Sequence, residues 1–280
     1  MIQTAAPNTY VVAALYQFAP LDDLPALQTQ LQNAAAEART MGSLLIAAEG
    51  INGTIAGSRA GIDHMLKTIR AVPGFAKLTH KESPAYSPPF RRMRVRIKRE
   101  IVTMGMPAVD PLEDVGTYVP PRDWNALISQ PDVITIDTRN DYEVDVGRFR
   151  GAIDPKTTSF RQLPAWLRAN IDPDKYTKVA MYCTGGIRCE KSTNFMKSLG
   201  FNEVYHLQGG ILQYLEDVPE EESLWEGACY IFDDRVTLMH GLEIGNHRIC
   251  NDCGYVFENS TECHRCAAAK DHTNPAGPEE

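Results

Sequence analysis

The sequence predicts an α/β protein made of two domains and a short cysteine-rich tail. Three observations carry that expectation. The first hundred residues place apolar strands between helical stretches, residues 122–220 alternate strand and helix, and four of the seven cysteines fall into two C-x-x-C pairs after residue 249. A chain of 280 residues suits two domains. At 43% hydrophobic and 23% charged residues it has enough apolar material for real cores.

Tyr10 to Phe18 (YVVAALYQF) is rich in β-branched and aromatic residues and stops at Pro20, which predicts a strand. Asp22 to Met41 carries Leu24, Leu27, Leu31 and Ala35 on one stripe, with Gly42 beyond its end, which predicts a helix. Ser43 to Ala48 is a short apolar run suited to a buried strand, and Gly50, Gly53 and Gly57 punctuate the stretch after it. Ala60 to Val72 predicts a second helix, stopped by Pro73-Gly74, and Ala76 to Tyr86 and Arg91 to Met104 predict strands. We place these elements in the β-α-β-β-α-β ferredoxin-like arrangement, as an N-terminal domain of residues 1–105. Residues 106–121 carry Pro107, Pro111, Pro120 and Pro121 with little periodicity, which predicts a linker.

The second domain, residues 122–220, offers strands at Val133 to Asp137, Lys178 to Tyr182 and Glu203 to Leu207, with helices at Ser159 to Asn170 and Cys189 to Leu199. This alternation implies a central parallel sheet covered by helices. Residues 221–280 form an irregular Cys-rich C-terminal region, and its last stretch, KDHTNPAGPEE, reads as disordered.

The net charge of -8 argues against a generic polyanion binder and gives no support for DNA as a partner. The N-terminal stretch has no basic leader, and no apolar run is long enough to span a bilayer. We therefore expect a cytoplasmic protein with no membrane partner. An odd number of cysteines, mostly in paired C-x-x-C groups, favours reduced thiols in metal or catalytic roles over a disulfide framework.

The segment VAMYCTGGIRCEKS concentrates the chemistry. An apolar strand ends at Tyr182, Cys183 opens a turn containing Gly185 and Gly186, and a helix begins near Arg188. Glycines free the backbone to turn its amides inward, the helix presents its positive end to the same place, and Arg188 adds a cation. Each feature favours the Cys183 thiolate, the form that attacks. The bland reading is a small buried cysteine in a tight turn. A cysteine phosphatase would place five residues between Cys and Arg, whereas here there are four, a smaller amide cradle matched to one atom and not to a phosphate. Cys189 is either a packed thiol or a partner that resolves an oxidised Cys183.

A Cys-x-x-Gly-x-Arg loop between strand and helix resembles the rhodanese domain. So do Asp137, Arg139, Glu143, Gly147, Phe149, Gly151 and Ala152 in residues 134–153, and the glycine pair of LQGGI at 207–211. Arg148 stands where such domains often carry His. Asp137, Arg139 and Glu143 read as structural ion-pair residues. With EGINGT (49–54) and ACYIFDDRV (228–236), the chain resembles, over nearly its whole length, the rhodanese-domain tRNA uridine hydroxylases. That resemblance implies oxygen-dependent hydroxylation of a wobble uridine to 5-hydroxyuridine, with tRNA as partner, molecular oxygen as co-substrate, no organic cofactor evident and Cys183 as the reactive residue. A sulfurtransferase carrying sulfane sulfur on Cys183, and a non-catalytic RNA-binding module, are the alternatives.

A tRNA substrate asks for a basic surface. In FRRMRVRIKRE, Met93, Val95 and Ile97 alternate inward, leaving Arg92, Arg94, Arg96 and Lys98 on one face as a candidate phosphate track. The alternative is a solvated face with acidic cross-strand partners. EGINGT reads as a turn that could present Glu49 and Asn52 to substrate. Asp233, Asp234 and Arg235 are expected to hold the tail to the second domain, and Cys229 to be buried. Cys250, Cys253, Cys263 and Cys266 form two knuckles nine residues apart, with the pattern of a structural Zn²⁺ site. His247 and His264 are spare candidates, and redox pairs are the alternative to a metal site.

Overall fold

A computed structural model describes residues 9–258 and 262–266; the expected disordered end lies outside them. The N-terminal domain runs β1 (Tyr10–Phe18), α1 (Leu24–Glu37), β2 (Met41–Ala47), β3 (Gly50–Gly57), α2 (Arg59–Arg70), β4 (His80–Ala85) and β5 (Met93–Ile97). Its sheet has the order β4-β1-β3-β2-β5, antiparallel except for the β2–β5 pair. The first four strands and two helices form the expected β-α-β-β-α-β ferredoxin-like arrangement, but β3, missing from the elements read in the sequence, completes it, and β5 adds an edge strand beyond it.

Local chemistry explains the helices. Asp23 accepts the Ala26 amide at 3.0 Å to cap α1, and Ser58 accepts the Gly61 amide at 3.1 Å to cap α2. Leu27 and Leu31 of α1 and Ile62, Met65, Leu66 and Ile69 of α2 bury against Ala13, Leu15, Leu44, Ile46, Ile51 and Ile55 of the sheet.

The sequence pattern does not disclose β3. Its glycines, which read as punctuation, lie inside a central strand that pairs with both β1 and β2. A Cβ on Gly53 would lie 2.0 Å from the Ser43 carbonyl oxygen, so glycine marks a close approach of two strands and no turn.

The second domain contains β6 (Thr117–Val119), α3 (Pro121–Ile128), β7 (Val133–Asp137), α4 (Asp141–Val144), β8 (Gly147–Phe149), α5 (Leu163–Asn170), β9 (Lys178–Tyr182), α6 (Ile187–Ser198), β10 (Glu203–Leu207) and α7 (Gly210–Asp217). Its main sheet, β6-β10-β9-β7, is parallel throughout. Alternate residues of β9 bury on opposite faces: Val179 and Met181 lie with α5 and α6, and Ala180 and Tyr182 with α3 and α7. Burial on both faces is why these strands read as continuous apolar runs. Part of the expected linker is structured, since Thr117–Val119 is an edge strand of this sheet and Pro121 begins a helix. The tail is also more ordered than expected. β11 (Trp225–Gly227) pairs with β8, β12 (Cys229–Tyr230) pairs with β13 (Thr237–Leu238), and β14 (His247–Ile249) pairs with β15 (Val256–Glu258).

The two domains meet around α6. Polar or charged as it is, IRCEKSTNFMKS buries Arg188, Glu190, Lys191, Ser192 and Thr193, because protein lies on every side. Lys191 Nζ contacts Glu49 at 2.8 Å, Glu100 at 2.8 Å and the Val102 carbonyl at 3.1 Å. Glu190 accepts the Tyr16 hydroxyl of β1 at 2.8 Å and the Tyr118 hydroxyl of β6 at 2.7 Å. The apolar cores do not merge: those of the first domain draw on residues 10–95, and those of the second on residues 102–242.

Candidate functional site

The parallel sheet delivers Cys183 to the C-terminal end of β9, directly before the turn into α6. Gly186 sits at φ +103° as the residue before the helix, a conformation that disfavours any side chain. This turns its amide onto Cys183 Sγ at 3.1 Å. Gly185 has an ordinary φ and open space around it, so only one of the two glycines is required by backbone shape. From the other side α7 braces the loop. The Ile211 amide donates to the Cys183 carbonyl and the Leu212 amide to that of Thr184, each at 3.0 Å. Gly210 makes this close contact feasible, since a Cβ there would lie 2.5 Å from the Cys183 oxygen.

Cys183 has no exposed surface, and burial alone would raise its pKa. Hydrogen bonding from the Cys189 thiol, the charge of Arg188 and the amides of Cys189 and Arg188 outweigh burial and bring it down to about 6. Cys189 is fully buried, and burial together with the neighbouring Cys183 thiolate pushes its own pKa well up. Its Sγ also lies 3.8 Å from the Thr138 hydroxyl. Cys189 thus stays a neutral thiol beside the Cys183 sulfur.

Arg188 does not point its charge freely at the sulfur. Nη1 and Nη2 bond the two Glu143 oxygens at 2.6 and 2.8 Å, and Nη2 meets the Thr184 hydroxyl at 3.2 Å. Burial works against the Glu143 carboxylate, and the guanidinium offsets this to hold its pKa below the usual range. Asp137 and Arg139 make a second buried pair, at 2.9 and 2.6 Å, and Arg139 also donates to the carbonyls of Glu143 and Gly147. Such buried, doubly bonded pairs fix the geometry of the loop's surroundings.

Glu49 and Asn52 do not lie in a turn open to substrate. Glu49 accepts the Ile101 amide at 2.6 Å and pairs with Lys191, and Asn52 donates to the Ile101 carbonyl at 2.8 Å. Both hold the chain where it crosses between domains. Arg235 pairs with Asp233 at 2.8 and 2.6 Å and reaches Ser83 and the Pro84 carbonyl. It therefore ties the tail to β4 of the first domain, where the sequence pattern points to the second. Cys229 is buried, which pushes its thiol up to about 12.

Arg92, Arg94, Arg96 and Lys98 are all exposed along β5 and its continuation, and among the described residues no salt bridge joins them to a carboxylate. Met93 and Val95 turn inward as expected, but Ile97, the last residue of this edge strand, is 41% exposed although it still pairs with Ile46.

In the tail, the Cys250, Cys253, Cys263 and Cys266 sulfurs all lie within 4.8 Å of one another. Two of the pairs, Cys250 with Cys266 and Cys253 with Cys263, are 3.7 Å apart. Four sulfurs about 2.3 Å from a tetrahedral Zn²⁺ would be about 3.8 Å from one another. The Cys253 and Asp252 amides lower the Cys250 pKa to about 7, whereas the neighbouring Cys253 and Cys250 sulfurs push that of Cys266 up to about 12. His247 Nδ1 is instead 3.1 Å from the Thr237 hydroxyl.

Two family models match the chain: the UPF0176 acylphosphatase like domain over residues 10–101 and the rhodanese-like domain over residues 121–217. A Rhizobium etli protein named tRNA uridine(34) hydroxylase is 57% identical over 267 residues, covering 92% of this chain and 86% of that one. A protein of the same name from Agrobacterium fabrum is 59% identical over 244 residues, 87% of this chain and 78% of its own. Another from Teredinibacter turnerae is 56% identical over 248 residues, 89% and 77% of the two chains.

The loop geometry yields a titration test. Because the Cys183 pKa lies below that of a free thiol, the thiolate forms as pH rises through about 6 and prevails at neutrality. Thiolate ultraviolet absorbance, read as wild type minus Cys183→Ser, is expected to turn at that pH. Cys189→Ala is expected to move the inflection upward; an unmoved inflection would mean the Cys189 thiol plays no part.

Proposed function

Because the chain belongs to the tRNA uridine(34) hydroxylase family, we propose that it is a tRNA-modifying oxidoreductase that hydroxylates the wobble uridine to 5-hydroxyuridine. The observation that carries this reading is identity of 54–59% to proteins of that name across most of the chain. A buried cysteine poised as thiolate at the end of a parallel strand supports it chemically. In this reading Cys183 is the reactive residue and Arg188 acts through Glu143 to hold the loop. Molecular oxygen is the co-substrate. Since Cys183 has no exposed surface, the uracil ring has to leave its stack and the surroundings of the loop have to yield before it reaches the sulfur. Among the described residues no helix is long and apolar enough to cross a membrane, and a tRNA substrate puts the reaction in the cytoplasm.

The exposed row of Arg92, Arg94, Arg96 and Lys98 is the proposed phosphate track, favoured by its lack of carboxylate partners among the described residues. The four tail cysteines are proposed to hold one structural Zn²⁺, since four thiolates leave no open position for chemistry.

Three measurements test these statements. Nucleoside mass spectrometry of tRNA from cells lacking the protein is expected to show loss of 5-hydroxyuridine derivatives, restored by wild type and not by Cys183→Ala. Unchanged nucleosides, with no second pathway supplying them, would remove the hydroxylase reading and leave thiosulfate sulfurtransfer as the activity to assay. Changing the four cations to Gln is expected to weaken tRNA binding and flatten its log–log salt dependence by about 0.7 for each phosphate left without its cation; an unchanged slope would clear β5 of any role in holding RNA. Elemental analysis is expected to find one zinc per chain, lost in Cys250→Ser with a fall in melting temperature, and a metal-free wild type would overturn the zinc site.

A further inference from the structure

Replacing C5–H of uridine by C5–OH releases the C5 proton, and the site must offer that proton an acceptor. Most ionisable groups around Cys183 are committed elsewhere. Glu143 is held by Arg188 through two bonds. Lys191 is a cation between Glu49 and Glu100. Cys189 is a neutral thiol, held so by burial and by the neighbouring Cys183. His206, stacked on the Tyr118 ring at 4.1 Å, lies behind that ring in β10. Glu190 is different. It is buried, 6% exposed, on the first turn of the helix after the Cys183 loop, and its carboxylate is met by two phenols, one on each oxygen.

One of those phenols reaches in from the other domain. Tyr16 of β1 donates to Glu190 Oε1 at 2.8 Å, and its oxygen lies 2.8 Å from where a Cβ on Gly186 would be. Gly186 is the residue whose amide holds Cys183 Sγ. The N-terminal sheet therefore sets a hydroxyl against the cysteine loop, wired to a buried carboxylate.

We propose, resting on the hydroxylase reading, that Tyr16 and Glu190 form the proton relay of the Cys183 site. The Cys183 thiolate adds to C6, and C5 takes one oxygen atom of O2 while the other leaves as water on two electrons from a thiol reductant, with protons from solvent. The C5–H bond then breaks, its electron pair re-forms the C5–C6 double bond as the thiolate leaves C6, its proton passes to Tyr16 Oη, and the Tyr16 proton passes to Glu190 Oε1. Charge and atoms balance: the tyrosine ends neutral and Glu190 ends as the acid. Tyr16 is the catalytic residue that meets the base, and Glu190 is its positioning and accepting partner. Burial and the nearby Cys183 thiolate raise the Glu190 pKa, which suits a carboxylate meant to take up a proton, although hydrogen bonds from Tyr118 and Tyr16 work the other way. The groups facing Glu190 are Tyr16, Tyr118 and Cys183, while Arg188 and Lys191 on its own helix are neutralised by carboxylates of other elements.

The test uses purified full-length protein and tRNA with oxygen and a thiol reductant, with kcat and KM measured across pH. Tyr16→Phe and Glu190→Gln are expected to lower kcat by about a hundredfold or more, with KM within about threefold of wild type. The Glu190→Gln profile is expected to lose the ionisation that belongs to Glu190 while keeping the limb of Cys183 near pH 6. Glu190→Asp is expected to recover part of the rate. Tyr118→Phe removes an equal bond to the same carboxylate away from the loop, and is expected to cost less than about tenfold. Retention of the Cys183 titration shows that each variant has folded. Folded Tyr16→Phe with wild-type kcat, or equal losses from Tyr16→Phe and Tyr118→Phe, would overturn the relay and leave the hydroxylase standing. A wild type that makes no 5-hydroxyuridine in cells or in vitro would overturn both.

Discussion

A charged helix buried between two domains is the constraint on which the rest of the arrangement depends. α6 carries Arg188, Glu190 and Lys191 within one turn, and each is nearly or fully removed from water. Burying such groups is costly unless each finds a partner. The partners come from different places: Glu143 from α4, Tyr16 from β1, Tyr118 from β6, and Glu49 and Glu100 from the N-terminal domain. Glu143 and Tyr118 belong to the domain of α6 itself, whereas Tyr16, Glu49 and Glu100 reach Glu190 and Lys191 only through the docking of the two domains. The helix that carries the nucleophile loop therefore also fixes the relation between the domains.

The same constraint explains how Cys183 is ionised. An unpaired guanidinium beside the sulfur would attract a thiolate strongly, but it would also be an uncompensated buried charge. Glu143 removes that problem and with it part of the attraction. The thiolate consequently depends on the Cys189 S–H and on amides oriented by the Gly186 turn as well as on Arg188. These dipoles are fixed before substrate arrives and cost no reorganisation when it does.

The legible parts of the sequence are those decided by neighbours in the chain. β7 and β9 are recognisable at their observed bounds because their apolar runs are short and closed by a turn, and β10 because Val204, Tyr205 and Leu207 stand between Gly200 and Gly209-Gly210. The Cys183 loop is legible because strand, turn, glycine and helix succeed one another within a few residues. Glu49 and Asn52 read wrongly because their partners, Lys191 and Ile101, lie far along the chain, and a polar side chain after an apolar strand gives no sign of which distant group it meets. Tyr16 and Glu190 are invisible for the same reason. One looks like an ordinary strand aromatic and the other like a solvated helix residue, and only the docking of the domains brings them together. β3 is hidden by its glycines, whose spacing imitates turns.

A buried nucleophile needs a route by which the substrate can reach it, and the character of the interface bears on that. The apolar cores stop at the domain boundary, so the contacts there are mainly hydrogen bonds and ion pairs: Tyr16 with Glu190, Lys191 with Glu49 and Glu100, Arg235 with Ser83, and Lys81 with Glu216. Separating two apolar surfaces would expose hydrocarbon at a cost proportional to its area. Separating polar surfaces costs less when water or a nucleotide takes over the bonds. A uracil ring carries donors and acceptors on its edge, so it can replace bonds that it displaces at this boundary while Tyr16 stays on Glu190. A polar boundary thus allows the site to be closed to water before binding and still be opened by a substrate of matching polarity, which an apolar boundary of the same extent would resist.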